Sequence, residues 1–290
     1  MLQKKQGIKS NQEWLAAFER STDLYSKEYI NDLEKKTIEH IKKVSAGFNN
    51  ICNGWIAGKD SVVLHHILKK SGIKSTPIMW RGINEYPCMI DWIEKNKPEN
   101  LVEEVIDKFN FDFLEKNPKY LFMQDDTRQK WMSVKWRRQK ADIKKHNFDL
   151  FIVARRLKDG NQCGLKTNDF VVDSKGYKTY SPLAEWNHEE MFAYIKYNKL
   201  ELPPFYNFKR GFLVGSVAMG EWTEYAVLDL TENDVWNELW EIDKSIVINA
   251  SQYLTSARNY INQKKGDDMI GTNNQDGTCN GRADCCKGKN

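Results

Sequence analysis

Gly54-Trp55-Ile56-Ala57-Gly58-Lys59-Asp60-Ser61 stand where a short strand-like run with apolar and small residues, Phe48 to Ile56, gives way to a segment whose apolar residues Val63, Leu64, Ile67 and Leu68 recur at helical spacing. Lys69 and Lys70 suit the last turn of that helix, and Gly72 suits its left-handed terminator. A strand that hands over to a helix through a glycine-containing loop makes an anion seat. The unpaired N–H groups and the positive end of the helix dipole point at the loop, and Gly58 lets a ligand approach the backbone and permits positive φ. Lys59 adds a cation and Ser61 a hydroxyl. The loop is not a Walker A motif: three residues rather than four separate its glycines, and Asp60 follows the lysine.

Working outward, further strands read at Thr76–Trp80, Leu101–Ile106 and Leu150–Ala154, with helices over Tyr86–Lys95 and 127–146 between them. This alternation predicts an α/β fold with a mostly parallel sheet covered by helices on both faces. Two helices precede it within 11–46, the first capped by Asn11. Phe170–Asp173 and Tyr177–Tyr180 read as a hairpin. Asn187 with Glu190 predicts a capping box for a helix ending near Tyr197; Thr231 with Asp234 predicts another, and 244–263 a last helix. The expected organisation is N-terminal helices over 1–46, an α/β domain over 47–210, a helical extension over 211–265 and a flexible cysteine-containing tail over 266–290.

Composition narrows the classes. Of 290 residues, 40% are hydrophobic and 29% charged, which fits a folded chain rather than a disordered one. A net charge of +4 does not by itself argue for nucleic acid. No run approaches the ~20 apolar residues that span a bilayer, and the N-terminus lacks the apolar stretch of a secretory signal, so a cytoplasmic protein with reduced thiols and no membrane partner is expected. Residues 128–145 are strongly basic, with Trp131 and Trp136 interleaved; they offer a contact for nucleic acid, or a solvated helix face with buried tryptophans. His65 and His66 sit on the helix after the loop, one expected toward the core and one toward the surface. Trp222, Trp236 and Trp240 read as core anchors of the C-terminal helices.

The loop resembles the Ser-Gly-Gly-x-Asp-Ser pyrophosphate (PP) loop of the adenine-nucleotide α-hydrolase fold, and its branch the phosphoadenylylsulfate (PAPS) reductase family. Two further blocks resemble that branch. Arg155-Arg156 follow the strand Leu150–Ala154. Ser181-Pro182-Leu183-Ala184-Glu185-Trp186-Asn187 through Tyr194-Ile195, then Leu202-Pro203-Pro204-Phe205-Tyr206, are similar to its proline, acidic, tryptophan and tyrosine block. The resemblance spans about residues 45–210. It implies an adenine nucleotide, PAPS or ATP, held by Ala57, Gly58, Lys59, Asp60, Ser61, Arg155 and Arg156, with Mg²⁺ if the ligand is ATP.

Ile56 and Ala57 replace the family's first Ser and Gly. The Ala adds a Cβ that costs about 1 kcal/mol if positive φ is needed there. The family's Glu-Cys-Gly-(Ile/Leu)-His ending is missing. In its place stands Cys279-Asn280-Gly281-Arg282-Ala283-Asp284-Cys285-Cys286-Lys287, where Arg282 and Lys287 favour a thiolate. Cys285 and Cys286 are therefore the candidate nucleophiles. The chain has no Cys-x-x-Cys, which argues against an iron–sulfur cluster, and no metal ligand set is assigned. The resemblance implies thiol-dependent sulfur transfer or sulfonucleotide reduction with a thioredoxin-like reductant. The alternatives are an ATP pyrophosphatase that adenylates a substrate, nucleic acid among them, or a non-catalytic protein that keeps the fold. A homo-oligomer is compatible with any of these.

Overall fold

A computed structural model describes residues 10–82, 85–106, 109–118, 127–160, 163, 170–214 and 230–273. Its centre is strand β1, Ile51–Gly54, flanked in parallel by β2, Thr76–Gly82, and β4, Leu150–Ile152. Strand β3, Val102–Ile106, pairs with β2, and β6, Lys178–Tyr180, pairs with β4, both parallel; β5, Phe170–Val172, closes the edge antiparallel to β6. The order is β3-β2-β1-β4-β6-β5.

Side-chain alternation along the strands fills two cores. Ile51, Met79, Leu150 and Ile152 join the larger one. Helices α1, Asn11–Leu24, α3, Lys59–Ser71, and α7, His188–Tyr197, supply its Trp14, Leu64, Ile67 and Phe192. Cys52, Ile78, Phe151 and Val153 point the other way, onto Ile143 of α6, Thr127–Lys145. Period-two alternation between two apolar layers is what a sheet covered on both faces requires, so the α/β expectation holds. Helix α2, Lys27–Ser45, packs on α3 and α7, and α1 packs on α7.

Local signals account for most boundaries. The Asn187–Glu190 and Thr231–Asp234 capping boxes both form, opening α7 and α9, Glu232–Ile242. The hairpin turn is held by Asp173, whose Oδ1 accepts from the N–H groups of Lys175 and Tyr177. Other expectations need correction. Ser10, not Asn11, caps α1; Asn11 Oδ1 instead accepts from Phe212 and Leu213 N–H, at 3.1 Å each, and ties α1 to the short helix α8, Gly211–Val214. The expected helix over 244–263 is two, α10, Lys244–Ser251, and α11, Thr255–Asn273. The break is a tertiary effect: Glu115, on α5, Phe109–Lys116, accepts from the N–H and hydroxyl of Thr255 and starts a new helix there. Helix α11 also runs past Gly266, where the sequence suggests a flexible tail. One glycine costs a helix only about 1 kcal/mol, too little to stop one already formed upstream.

Helix α4, Pro87–Asn96, matches its expected position. Trp236 is buried and Trp240 partly so; Trp222 lies outside the described residues. Among the described residues, no helix is long and apolar enough to cross a membrane.

Candidate functional site

The chain leaves β1 toward β2 on one side and later crosses to β4 on the other, so the strand order reverses between β1 and β4 while the strands stay parallel. In open α/β sheets the crevice outside the carboxyl ends of such a strand pair is where ligands bind. Two segments meet there: Trp55–Gly58 after β1, and Val153–Arg156 after β4.

The first loop is pinned from within. Trp55 N–H continues the ladder to Ile78 O at 2.9 Å, and its ring stacks on Trp92. Ile56 is exposed. The left-handed residue is Ala57, at φ 55, whereas Gly58 is extended at φ −78 and serves as N-cap of α3. Positive φ therefore falls on the alanine, not on Gly58 as the sequence suggests. The Ser61 hydroxyl donates to Gly58 O at 2.8 Å and accepts from Ile56 N–H at 3.3 Å, so it braces the turn instead of standing free as a donor. Lys59 N–H donates to the Tyr206 hydroxyl at 2.8 Å. The N–H groups of Ala57, Gly58, Asp60 and Ser61 have no partner among the described residues.

Beside these amides lies a buried charge cluster. Lys59 Nζ is 2.6 Å from Asp60 Oδ2 and lies over the Trp14 ring, 5.7 Å from its centroid. Asp60 Oδ1 is 3.0 Å from Arg156 Nε, an ion pair off the line that a hydrogen bond needs; both atoms are buried without an aligned partner among the described residues. Arg156 is 0% exposed. Its Nη2 donates to Asp159 Oδ1 and to His188 Nδ1, both at 3.1 Å, which leaves that histidine nitrogen as an acceptor. Trp14 also packs edge-on against His188, with centroids 4.6 Å apart.

The titration of these groups follows their surroundings. Burial alone would raise Asp60, but the Arg156 guanidinium and the Lys59 ammonium hold it down at about 2. Burial pushes Lys59 below the ordinary lysine range although Asp60 pulls it up. Burial opposes the charge of Arg156, yet Asp60 and Asp159 carry it above the usual arginine value. Burial and the Asp60 charge push the Tyr206 phenol up. The result is two buried cations facing two carboxylates, with spare backbone donors alongside: a place that can accept an anion.

Arg155 and Arg156, adjacent in sequence, part company. Arg156 enters the loop cluster, while the Arg155 guanidinium lies 5.5 Å from the centroid of the Trp136 ring on α6. Asp159, His188, Tyr206 and Trp14 also belong to the cluster, and sequence reasoning does not single them out. His188 and Tyr206 lie in the blocks that resemble the family and Asp159 is three residues past Arg156; nothing local marks Trp14 as a site residue. His65 and His66 are outside the cluster, and both are half-buried rather than one in and one out. His66 Nδ1 is 2.8 Å from the Tyr194 hydroxyl, and burial lowers both imidazoles.

The described thiols, Cys52, Cys88 and Cys163, are all pushed up by burial, Cys163 to about 11. Cys279, Cys285 and Cys286 lie outside the described residues. Among the described residues no group of three or more His, Cys, Asp or Glu side chains is placed to hold a metal.

The model of the phosphoadenosine phosphosulfate reductase domain matches residues 51–217, more than half of the chain. The chain belongs to this family. The match takes in β1, the loop, Arg155, Arg156 and Tyr206. No curated protein matches by sequence. Among solved structures, the chain is similar to phosphoadenylyl-sulfate reductase from Candida auris in a phosphate complex, at 18% identity and TM-score 0.44, over 62% of this chain and 90% of that one. It is also similar to the U34-tRNA thiolase NcsA from Methanococcus maripaludis with its [4Fe-4S] cluster, at 16% identity and TM-score 0.40, over 78% and 80% of the two chains. A third similarity is to NMN synthetase from Francisella tularensis, at 15% identity and TM-score 0.41, over 80% and 91%.

Proposed function

We propose that this member of the PAPS reductase domain family binds an adenine nucleotide at the β1–α3 loop and carries out thiol-dependent sulfonucleotide reduction or sulfur transfer. The observation that carries the reading is Arg156: a fully buried guanidinium with an unaligned Nε, beside four loop amides without partners among the described residues. In this reading the amides of Ala57, Gly58, Asp60 and Ser61 take the terminal oxyanion, Lys59 and Arg156 neutralise it, and Arg155 contacts the same ligand from the β4 side. Charge-assisted hydrogen bonds of this kind are about twice as strong as neutral ones.

The chemistry needs a thiolate. Burial holds the described cysteines protonated, which favours the tail residues Cys285 and Cys286 as nucleophile, with Arg282 and Lys287 lowering their pKa. The thiolate attacks the sulfate sulfur of PAPS. The sulfur–oxygen bond breaks, its electron pair leaves with adenosine 3′,5′-bisphosphate, and a cysteine S-sulfonate forms. A thioredoxin-type dithiol then supplies two electrons, sulfite departs, the cysteine is regenerated and the dithiol becomes a disulfide.

The test is incubation with PAPS and reduced thioredoxin. Sulfite release, with a trapped S-sulfonate lost in the Cys285→Ser/Cys286→Ser double variant, is expected. Adenosine bisphosphate binding without sulfite or adduct refutes the chemistry and leaves the binding site. A second reading, an ATP pyrophosphatase, needs no thiolate and is favoured by the burial that holds every described cysteine protonated. It requires AMP and pyrophosphate release from ATP with Mg²⁺, in the presence of the substrate to be adenylated.

A further inference from the structure

Helix α6 is chemically unlike the rest of the chain. Over Thr127–Lys145 it carries eight Lys and Arg against one acid, Asp142, so the remainder of the protein is net negative. Among the described residues, the acids that face this helix are already engaged. Asp142 is buried and accepts from Trp80 Nε1 at 2.9 Å, with Arg138 beside it; Glu104 meets Lys145 at 2.9 Å, and Asp173 meets Lys140. Arg137 and Lys144, both exposed, face no carboxylate among the described residues.

Trp136 lies in this basic field. Trp136 is 43% exposed, and the Arg155 guanidinium lies 5.5 Å from the centroid of its ring. A large aromatic left half in water and held by a cation is a costly way to finish a helix face, and a good way to receive a planar base. Charge alone suits any polyanion, and an exposed ring alone suits any apolar partner. Together, a base-sized flat surface on a helix whose exposed Arg137 and Lys144 meet no described carboxylate matches a strand of unstacked bases on a phosphate backbone. A duplex keeps its base faces stacked and leaves none for the ring to stack on.

We propose that the exposed face of α6, centred on Trp136 with Arg137 and Lys144, is a docking surface for single-stranded nucleic acid. The surface is connected to the loop site: Arg155 supports the Trp136 ring, and its neighbour Arg156 holds Asp60 of the loop. A strand lying on α6 therefore passes beside the β1–β4 crevice. The proposal does not depend on which nucleotide that crevice takes.

Fluorescence anisotropy of the full chain with labelled 20-nucleotide single strands of RNA and DNA, a matched duplex and an abasic strand tests it. Single strands are expected to bind more tightly than the duplex and the abasic strand, and the RNA and DNA arms identify the sugar preferred. Trp136→Ala should weaken binding at least about fivefold with the salt dependence unchanged. Arg137→Glu with Lys144→Glu should weaken it and flatten the slope of log affinity against log salt by about 0.7 for each phosphate left without its cation. Circular dichroism and melting of each variant report whether it is folded, and Trp136→Phe, which keeps a stacking face, should retain most of the affinity. Absence of binding at low salt overturns the proposal. So does equal binding of the abasic strand, preference for duplex, or affinity indifferent to folded Trp136→Ala.

Discussion

Ala57 holds a backbone conformation that L-residues avoid, at a cost of about 1–2 kcal/mol. Its methyl is 0% exposed, and burying one such group contributes about 0.8 kcal/mol. The burial offsets part of the cost, which makes an alanine tolerable where the family loop has glycine. Replacement by glycine should change stability by less than about 1 kcal/mol, whereas Ala57→Val, β-branched at positive φ and overpacked, should cost about 3 kcal/mol or more, read from urea unfolding. Asp60 makes a pH-dependent contribution. Its folded pKa of about 2 lies below its ordinary value of 3.8, so its stabilisation is complete above the ordinary value and disappears as pH falls through about 2. The stability advantage of the wild type over Asp60→Asn should shrink between pH 4 and pH 2. A constant difference across that range would remove the charge cluster from the account. Lys59 responds oppositely to ligand: a bound anion raises a pKa that burial has lowered. Nucleotide binding in alkaline buffer should then take up protons, detectable as a buffer-dependent calorimetric enthalpy.

At the level of elements, the segment Leu202–Tyr206 reaches back to the first turn of α3. Tyr206→Phe leaves the buried Lys59 amide without its acceptor and should cost about 1–3 kcal/mol. Arg156→Ala strands Asp60 and Asp159 together and should cost about 3–5 kcal/mol. What the sequence discloses at this scale is whatever is local. The capping boxes at Asn187 and Thr231, the Gly72 terminator and the apolar alternation of the strands are each read within a few residues. The start of α11 at Glu115 and the diversion of Asn11 to α8 depend on partners more than 100 positions away, and no window in the sequence contains both. The loop is legible for the same reason, since Gly58-Lys59-Asp60-Ser61 is contiguous. Trp14 comes from α1, His188 from α7, and Asp159 and Tyr206 from two short 3-10 turns; the four become site residues only when the sheet is assembled.

For the whole molecule, the switch in strand order between β1 and β4 determines where the site is, and α1 encloses it by laying Trp14 over Lys59 and against His188. The proposed nucleophile belongs to a separate part of the chain. Truncation after Asn273 removes Cys279, Cys285 and Cys286 but spares α11. It should leave the melting temperature and nucleotide affinity intact while abolishing sulfite release. If turnover survives, the thiol lies elsewhere. The most direct test of the anion seat is a crystal structure of the full chain soaked with adenosine 3′,5′-bisphosphate. We expect a phosphate within hydrogen-bonding distance of the Gly58, Asp60 and Ser61 amides and adjoining Lys59 and Arg156. A nucleotide bound elsewhere, with those amides still bare, would contradict it.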